Sequence, residues 1–313
     1  MLKNSTILSN PDSRAALIGS LFVMIAAFGF SAKAILIKMA YALGPVDAIG
    51  LLALRMAMAL PFFLVAAIWA GRNDPPVRAM NRADWLIILG LGITGYYFAS
   101  FLDFQGLTYI SAGLERLILF LYPTLVVLFS ALVYRKPVAY PEIFALLLSY
   151  VGIGLVVSEN FGEQKEGLWV GVGLVFGSAV SFACYMMGSG LMIRRIGPHK
   201  FTCYSMIAAC LATGFHFSLQ GGTSLLGLPL SVYGLALLMA LLSTVLPTFF
   251  MNAGIRRLGS GTASIISSVG PVVTLVLAYF LLDERLSAVQ LLGTGLVLVG
   301  VYLVTRYASG RGI

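Results

Sequence analysis

The chain carries GLTYISAG at residues 106–113 and GIRRLGSG at residues 254–261, and the two stretches overlay when the second half is moved back by 148 residues. The same shift, with no gap over residues 106–157, also places Pro123 on Pro271 and Gly152 on Gly300. Near the start of each half, Gly44-Pro45 matches Gly197-Pro198 at a shift of 153. This internal repetition predicts a chain built from two related halves.

The composition predicts that these halves lie in a membrane. The 313 residues are 59% hydrophobic and 10% charged, with a mean hydropathy of +0.96, whereas soluble domains carry about 25% charged residues. A membrane-spanning helix needs about 20 mostly apolar residues, and ten apolar segments bounded by Gly, Pro or charged residues approach that length. They are residues 15–38, 46–70, 84–104, 109–134, 140–157, 168–193, 200–219, 232–252, 258–282 and 287–306.

Each half holds five of these segments. Because five is odd, the second half enters the membrane from the opposite side and is inverted relative to the first. We therefore predict an all-α integral membrane protein of ten transmembrane helices, in two inverted five-helix repeats at residues 15–157 and 168–306. Inverted repeats are typical of secondary transporters, whose binding site lies near the midplane between the halves.

The distribution of Lys and Arg predicts the orientation. With the N-terminus in the cytoplasm, 14 of the 20 Lys and Arg residues fall in inner segments, three in outer segments and three within spans. This asymmetry follows the positive-inside rule and places both termini in the cytoplasm. The net charge of +8 is then the charge of cytoplasmic loops, so the expected partners are the lipid bilayer and a small molecule, with no nucleic acid.

The paired segments running from residues 109–113 to Pro123 and from residues 259–264 to Pro271 resemble the drug/metabolite transporter superfamily, specifically its EamA-type members with ten spans. Residues 283–286, Asp-Glu-Arg-Leu, resemble the acidic-Glu-Arg ending of the corresponding family helix. The first half differs, because it has Arg-Lys-Pro at residues 135–137 where the family often has Gly-Glu-Arg. The resemblance implies a bacterial inner-membrane transporter, often an exporter of amino acids or related metabolites, and not an enzyme.

Ionisable side chains within spans are costly and are functional candidates, and all five occur in the first half. They are Lys33, Arg55, Asp103, Glu115 and Arg116. Counted along each helix, all five fall in the outer half of the membrane and can form one network. The three cations exceed the two acids, so one hypothesis is that Lys33 or Arg55 binds a substrate carboxylate.

In the same hypothesis, Asp103 or Glu115 takes up a proton and couples its movement to transport. The alternative is that the charges only pair with one another and hold the first four helices together, or act as an outer gate. Glu115 and Arg116 point about 100° apart on a helix, so both cannot face one small cavity.

Polar and aromatic residues within spans are further candidates for the walls of a substrate cavity, because a buried tyrosine hydroxyl needs a partner. They are Tyr96, Tyr97, Tyr122, Tyr185 and Asn252. For any one of these, helix packing is the alternative. Pro123 and Pro271 remove helical hydrogen bonds at matching positions and are expected to permit bends.

Two other functions remain open, an integral membrane lipid-modifying enzyme and a lipid flippase. The chain shows no Ser/His/Asp set and no phosphate-binding Gly loop with Lys. His199 and His216 have no partners at metal-ligand spacing, and three cysteines without a CxxC pair form no zinc site. We therefore expect no metal, no cofactor and no catalytic residues; the oligomeric state is not indicated.

Overall fold

The computed structural model describes residues 11–73, 80–134, 140–160, 166–220, 225–258, 263, 266–267, 269–284 and 287–309. Within these ranges the chain is helical apart from short connections. The helices are α1 Pro11–Leu43, α2 Ala48–Asn73, α3 Arg82–Gly92, α4 Ala99–Gly106, α5 Ala112–Leu119, α6 Tyr122–Tyr134, α7 Tyr140–Asn160, α8 Leu168–Ile196, α9 Pro198–Gln220, α10 Leu230–Ala240, α11 Leu246–Leu258, α12 Gly270–Leu281 and α13 Ala288–Ser309. Two π-helical segments, π1 Ile93–Phe98 and π2 Leu241–Val245, join α3 to α4 and α10 to α11.

Seven helical stretches are long and apolar enough to cross a membrane. They are Ala16–Leu43, Ala48–Gly71, Arg82–Gly106, Ala112–Val133, Leu168–Ile193, Pro198–Gln220 and Leu230–Leu258, and three shorter apolar helices cover Leu147–Ser158, Gly270–Leu281 and Ala288–Leu303. Large apolar side chains such as Phe215 and Leu292 are each 66% exposed on the outer surface. Such a surface suits lipid and not water, so the chain is a multi-pass membrane protein.

Some predicted segment boundaries differ from the helices. The segment predicted over 109–134 begins as a helix only at Ala112, because the Ser111 side chain caps α5 by accepting a hydrogen bond from Leu114 N at 3.3 Å. The segment predicted over 232–252 instead runs from Leu230 to Leu258. Residues 135–137, 259–262, 264 and 285–286, which contributed to the family resemblance, lie outside the described residues.

The helices repeat in the register found in the sequence. A shift of 148 residues carries the first residues of α3, π1, α6 and α7 onto those of α10, π2, α12 and α13. Pro123 and Pro271 therefore both lie in the first turn of a helix, where the missing backbone N–H has no helical acceptor to serve. Just before them the chain leaves regular α-helix, at residues 120–121 and at Val269.

One packing contact also occurs twice, with the two halves exchanging roles. In the first half Gly106 packs on Val175 and lies close to Gly171, so that a Cβ added at Gly106 would lie 3.2 Å from the Gly171 carbonyl oxygen. In the second half Gly254 packs on Val23, and a Cβ there would lie 3.2 Å from the carbonyl oxygen of Gly19. Each pair joins a helix of one half to a helix of the other.

Similar contacts show which helix ends lie at the same end of the bundle. Gly19, near the start of α1, packs on Leu258 at the end of α11, whereas Gly44, just after α1, packs on Pro229 before α10. We call the end that contains the start of α1 the first end and the opposite end the second end. Tyr41 donates a hydrogen bond to the Phe104 carbonyl at 2.8 Å, which places the end of α4 at the second end.

We expect Gly106→Ala and Gly254→Ala to lower the unfolding free energy by similar amounts, about 1–3 kcal/mol each, because either methyl group would overpack the contact between the halves. Gly154→Ala and Gly295→Ala are the controls, since a Cβ at either site meets nothing within 4 Å. Thermal unfolding in detergent measures the four variants. Unequal losses of stability at positions 106 and 254 would contradict the repeated contact. So would losses at the control sites as large as those at positions 106 and 254.

Candidate functional site

A cavity of about 230 Å³ lies between the two halves. Its walls come from α1, α2, the π1–α4 region, α5 and α6 in the first half, and from α8, the π2–α11 region and residues 263 and 267 in the second. The polar side chains that line it are Lys33, Arg55, Tyr96, Ser100, Asp103, Arg116, Tyr122, Ser178, Tyr185, Ser189, Ser243, Thr244, Thr248, Asn252 and Ser267. Apolar and aromatic side chains fill the remaining wall.

The cavity extends toward the first end of the bundle. Ile193 and Ile255, each three residues from the end of its helix, belong to its lining. At the second end the two halves meet in a buried apolar core that includes Ile37, Phe104 and Val232, each 0% exposed. The Glu284 carboxylate adds a polar contact there, because it accepts hydrogen bonds from the Ala112 and Gly113 amides at 3.1 and 3.4 Å.

Three of the five predicted charges form one cluster. The Lys33 ammonium donates to Asp103 Oδ2 at 2.5 Å and lies 3.8 Å from Glu115 Oε1. Asp103 is 1% and Glu115 0% exposed. Lys33 and Asp103 line the cavity, whereas Glu115 lies behind it. A single ammonium group therefore serves two carboxyl groups in the membrane interior.

Arg55 and Arg116 also line the cavity, but in the described part of the chain neither forms an ion pair with a carboxylate. The Arg55 guanidinium lies over the Phe104 ring, 4.7 Å from its centroid. Arg116 donates to Ser31 Oγ at 3.5 Å. The Nε atoms of both arginines are buried without a hydrogen-bond partner among the described residues. Two cations at one cavity thus retain donors for an anionic group.

Gly270 makes room for the Arg116 side chain. A Cβ at Gly270 would lie 2.7 Å from one terminal nitrogen of Arg116 and 3.3 Å from Ser31 Oγ. Ser31 in turn donates to the Gly270 carbonyl at 3.0 Å. The Arg116 guanidinium is therefore held where α1, α5 and the start of α12 meet.

Aromatic side chains form one wall of the cavity. The Tyr185 hydroxyl donates to the Tyr96 hydroxyl at 3.1 Å, and the Tyr185 ring stacks on Phe182 at 5.7 Å between centroids. Tyr122 meets Phe182 edge-on at 5.1 Å. This wall offers an apolar surface in the cavity that the charged groups also line.

Two predicted site residues do not line the cavity, and a third lines it but has a hydrogen-bond partner outside it. The Tyr97 hydroxyl is 2.9 Å from His216 Nδ1, and Tyr97 is not part of the lining. Glu115 faces its neighbours and not the cavity, while the next residue, Arg116, reaches it. Asn252 lines the cavity and also donates to Thr202 Oγ1.

Ser243 is a cavity residue that the sequence did not indicate. It is 2% exposed, and its hydroxyl has no hydrogen-bond partner among the described residues. The 148-residue shift carries Gly95, which also lines the cavity, onto Ser243. The repeat register is therefore the sequence feature that could have indicated Ser243 as a cavity residue. Within the described residues no group of three His, Cys, Asp or Glu side chains is placed to hold a metal ion.

The family described as the EamA-like transporter family matches residues 17–158 and 169–306. The uncharacterized transporter YcbK of Bacillus subtilis is 32% identical over 296 residues, covering 93% of this chain and 92% of that protein. The threonine/homoserine exporter RhtA of Escherichia coli is 26% identical over 227 residues, 72% of each chain.

A crystal structure with 18% sequence identity shares the fold, with a TM-score of 0.64 over 96% of this chain and 99% of that one. The relatives are named transporters, in agreement with the expectation of transport and not catalysis.

Proposed function

The chain belongs to the EamA-like transporter family, and from that membership we propose that it is a secondary transporter that exports small carboxylate-bearing metabolites, amino acids above all, through the cavity between its halves. The observation that carries the proposal is the pair of arginines at this cavity, both without a carboxylate partner in the described residues.

The proposed architecture is ten membrane crossings in two inverted five-helix repeats, residues 15–157 and 168–306. The coincident helix starts and the exchanged Gly106 and Gly254 contacts support it. The three shorter apolar helices also support it, because they would supply the three crossings that the seven longer stretches leave to be found. The two halves then rock against each other and expose the cavity to one side at a time.

We further propose that both termini face the cytoplasm of a bacterial cell, as the Lys and Arg distribution predicts. The first end of the bundle is then cytoplasmic, and the cavity that reaches Ile193 and Ile255 faces the cell interior. This is the state in which an exporter takes up its substrate.

Arg55 and Arg116 are the proposed carboxylate-binding residues. The sequence-based hypothesis named Lys33 or Arg55, but Lys33 is occupied by Asp103 at 2.5 Å. A guanidinium group can donate two parallel hydrogen bonds to a carboxylate, and both arginines keep an unpartnered Nε–H donor. The aromatic wall formed by Tyr122, Phe182 and Tyr185 then packs on the apolar part of the substrate.

Threonine and homoserine are the first compounds to test, because a relative is named as their exporter. We expect proteoliposomes loaded with unlabelled L-threonine to accumulate external labelled L-threonine transiently above equilibrium. Homoserine and other amino acids that share the site should drive the same accumulation when they replace L-threonine inside the vesicles. Protein-free vesicles are the control, and the absence of counterflow with every amino acid tested would refute the proposed function.

Gly270→Ala provides a test of the Arg116 position. The added methyl group must displace the guanidinium, since it would lie 2.7 Å from a terminal nitrogen, while the flexible side chain can move without unfolding the helix. We expect KM for counterflow to rise about tenfold, the loss of about 1.4 kcal/mol from a charged hydrogen bond. Gly295→Ala, in open space on α13, should leave KM unchanged; an unchanged KM in Gly270→Ala would remove Arg116 from the site.

A further inference from the structure

We infer that the Ser243 hydroxyl binds a hydroxyl group on the substrate side chain, so that the cavity selects hydroxyl-bearing amino acids over apolar ones of the same shape. This inference rests on the proposed function, because it assumes that amino acids enter the cavity. It names the side-chain chemistry of the substrate, which the two arginines leave undecided because every amino acid has a carboxylate.

The Ser243 hydroxyl lacks the hydrogen bond that buried hydroxyls in helices commonly make. Such a group can donate to the backbone carbonyl four residues back, as Ser31 and Ser205 do at 2.6 and 2.7 Å. For Ser243 that carbonyl belongs to Met239, and it already accepts the Thr244 hydroxyl at 3.0 Å. Of the buried hydroxyls that the structure describes, that of Ser243 alone has no partner.

The π-helical segment π2, Leu241–Val245, explains why this hydroxyl is left over. At π2 a backbone N–H group donates to the fifth residue back, and not to the fourth. Thr244 is therefore brought over Met239, five residues back, and takes the acceptor that Ser243 would use in a regular α-helix. Single π turns within α-helices are frequent at functional sites, and this one places an unpartnered hydroxyl on a cavity wall.

Ser243 and its counterpart in the first half face different residues of the opposing helix. In the first half Gly95 of π1 lies directly against the Tyr185 ring, which leaves no room for a Cβ. The repeated glycine contact relates α1 to α8 at a shift of 152 residues, which carries Lys33 onto Tyr185. The Lys33 ammonium extends to Asp103, so the residue that corresponds to Tyr185 does not pair with Ser243, whose hydroxyl stays open to a ligand.

Ser243 borders the same cavity as the arginines proposed to bind the carboxylate. Segment π2 packs on α1 and on α2, the helix that carries Arg55. Ser243, Arg55 and Arg116 all line one cavity of about 230 Å³. A small substrate held by its carboxylate at the arginines would therefore extend its side chain into a space that Ser243 borders.

Threonine and valine differ in the one group that Ser243 would recognise, because valine has a methyl group in place of the threonine hydroxyl. A serine hydroxyl can both donate and accept, so threonine would gain a hydrogen bond that valine cannot form. A site that bonds a substrate hydroxyl discriminates against the analogue without it. Without Ser243, the threonine hydroxyl would be buried unpaired and the aromatic wall would favour the methyl group of valine.

Competition between L-threonine and L-valine in counterflow tests the inference. We expect L-threonine to have the lower KM in the wild type. Ser243→Ala should raise the KM for L-threonine about 2- to 10-fold and should not raise the KM for L-valine. The ratio of the two constants is the readout, since a variant that is only damaged in packing would change both constants together.

Ser178→Ala is the matched control. Ser178 lines the same cavity, but its hydroxyl already donates to the Ala99 carbonyl at 2.7 Å. This variant should keep the wild-type ratio of the two constants. Equal KM values for the two amino acids in the wild type, or an unchanged ratio in Ser243→Ala, would overturn the inference and leave the proposed function intact.

A binding measurement without transport separates the inference from the proposed function. Since a ligand stabilises the folded protein that binds it, the unfolding temperature in detergent should rise at lower concentrations of L-threonine than of L-valine, and Ser243→Ala should lose this difference. If the difference is found but neither amino acid is carried, the hydroxyl site stands and transport of these compounds is wrong. If both are carried and bind alike, the hydroxyl site alone is wrong; if neither binds, both proposals fail.

Discussion

Arg55→Gln and Arg116→Gln are each expected to raise KM for amino-acid counterflow about 10- to 100-fold, and the double variant is expected to show no saturable transport. Hydrogen bonds to charged groups contribute about 1.5–3 kcal/mol, and each factor of ten in affinity corresponds to about 1.4 kcal/mol. Both side chains line the cavity with an unpartnered Nε–H donor, so each substitution removes one cationic donor for the substrate carboxylate.

Arg257→Gln is the matched control for this pair. Its guanidinium also lies over a phenylalanine ring, 4.9 Å from the Phe22 centroid, but it does not line the cavity. Counterflow kinetics in proteoliposomes should therefore leave Arg257→Gln close to wild type. An Arg55→Gln or Arg116→Gln protein with wild-type KM would show that the carboxylate binds elsewhere.

Lys33→Met is expected to be the most destabilising substitution in the cavity. It leaves Asp103 and Glu115, which are 1% and 0% exposed, without the ammonium that they share. Removing one partner of a buried ion pair costs about 3–5 kcal/mol, so thermal unfolding in detergent should occur at a clearly lower temperature and the yield should fall.

Lys33→Met/Asp103→Asn distinguishes this charge effect from lost packing. Removing one carboxylate together with the ammonium leaves less unpaired charge among the buried side chains than removing the ammonium alone. The double variant should regain most of the stability that Lys33→Met loses. If Lys33→Met unfolds at the wild-type temperature, Lys33 does not hold the cluster together.

Counting residues along each helix predicts that all five charges can form one network, and the structure joins three of the five by ion pairs. Lys33, Asp103 and Glu115 come together from three helices. The 100° between Glu115 and Arg116 predicts that only one of them faces the cavity, and Arg116 lines it. The spacing could not tell which one, because that depends on how α5 is rotated against its neighbours.

Tyr97 shows why other side chains could not be placed from the sequence. It lies in the π-helical segment Ile93–Phe98, where hydrogen bonds to the fifth residue back replace the α-helical pattern. Side chains in such a segment no longer follow a period of 3.6, and the Tyr97 hydroxyl meets His216 outside the cavity while Tyr96 lines it. Composition and hydropathy do not indicate a π segment.

Helix ends were predicted less well than helix positions. The apolar run of the first segment ends near residue 38, but α1 continues to Leu43, since a helix needs backbone hydrogen bonds and not only apolar side chains. The Gly44-Pro45 pair of the repeat directly follows the last residue of α1. The repeat register of 148 was the most informative feature, because it also relates four helix starts of the two halves.

Protection of a single cysteine at position 243 tests most directly whether substrate occupies this cavity. In a protein with Cys184, Cys203 and Cys210 replaced, Ser243→Cys places a thiol on the cavity wall, and Ser218→Cys places one on an exposed part of α9. We predict that L-threonine, at concentrations that saturate counterflow, slows alkylation at position 243 several-fold and leaves the rate at position 218 unchanged. Alkylation at position 243 that continues at the same rate during active counterflow would show that the substrate crosses the protein by another route.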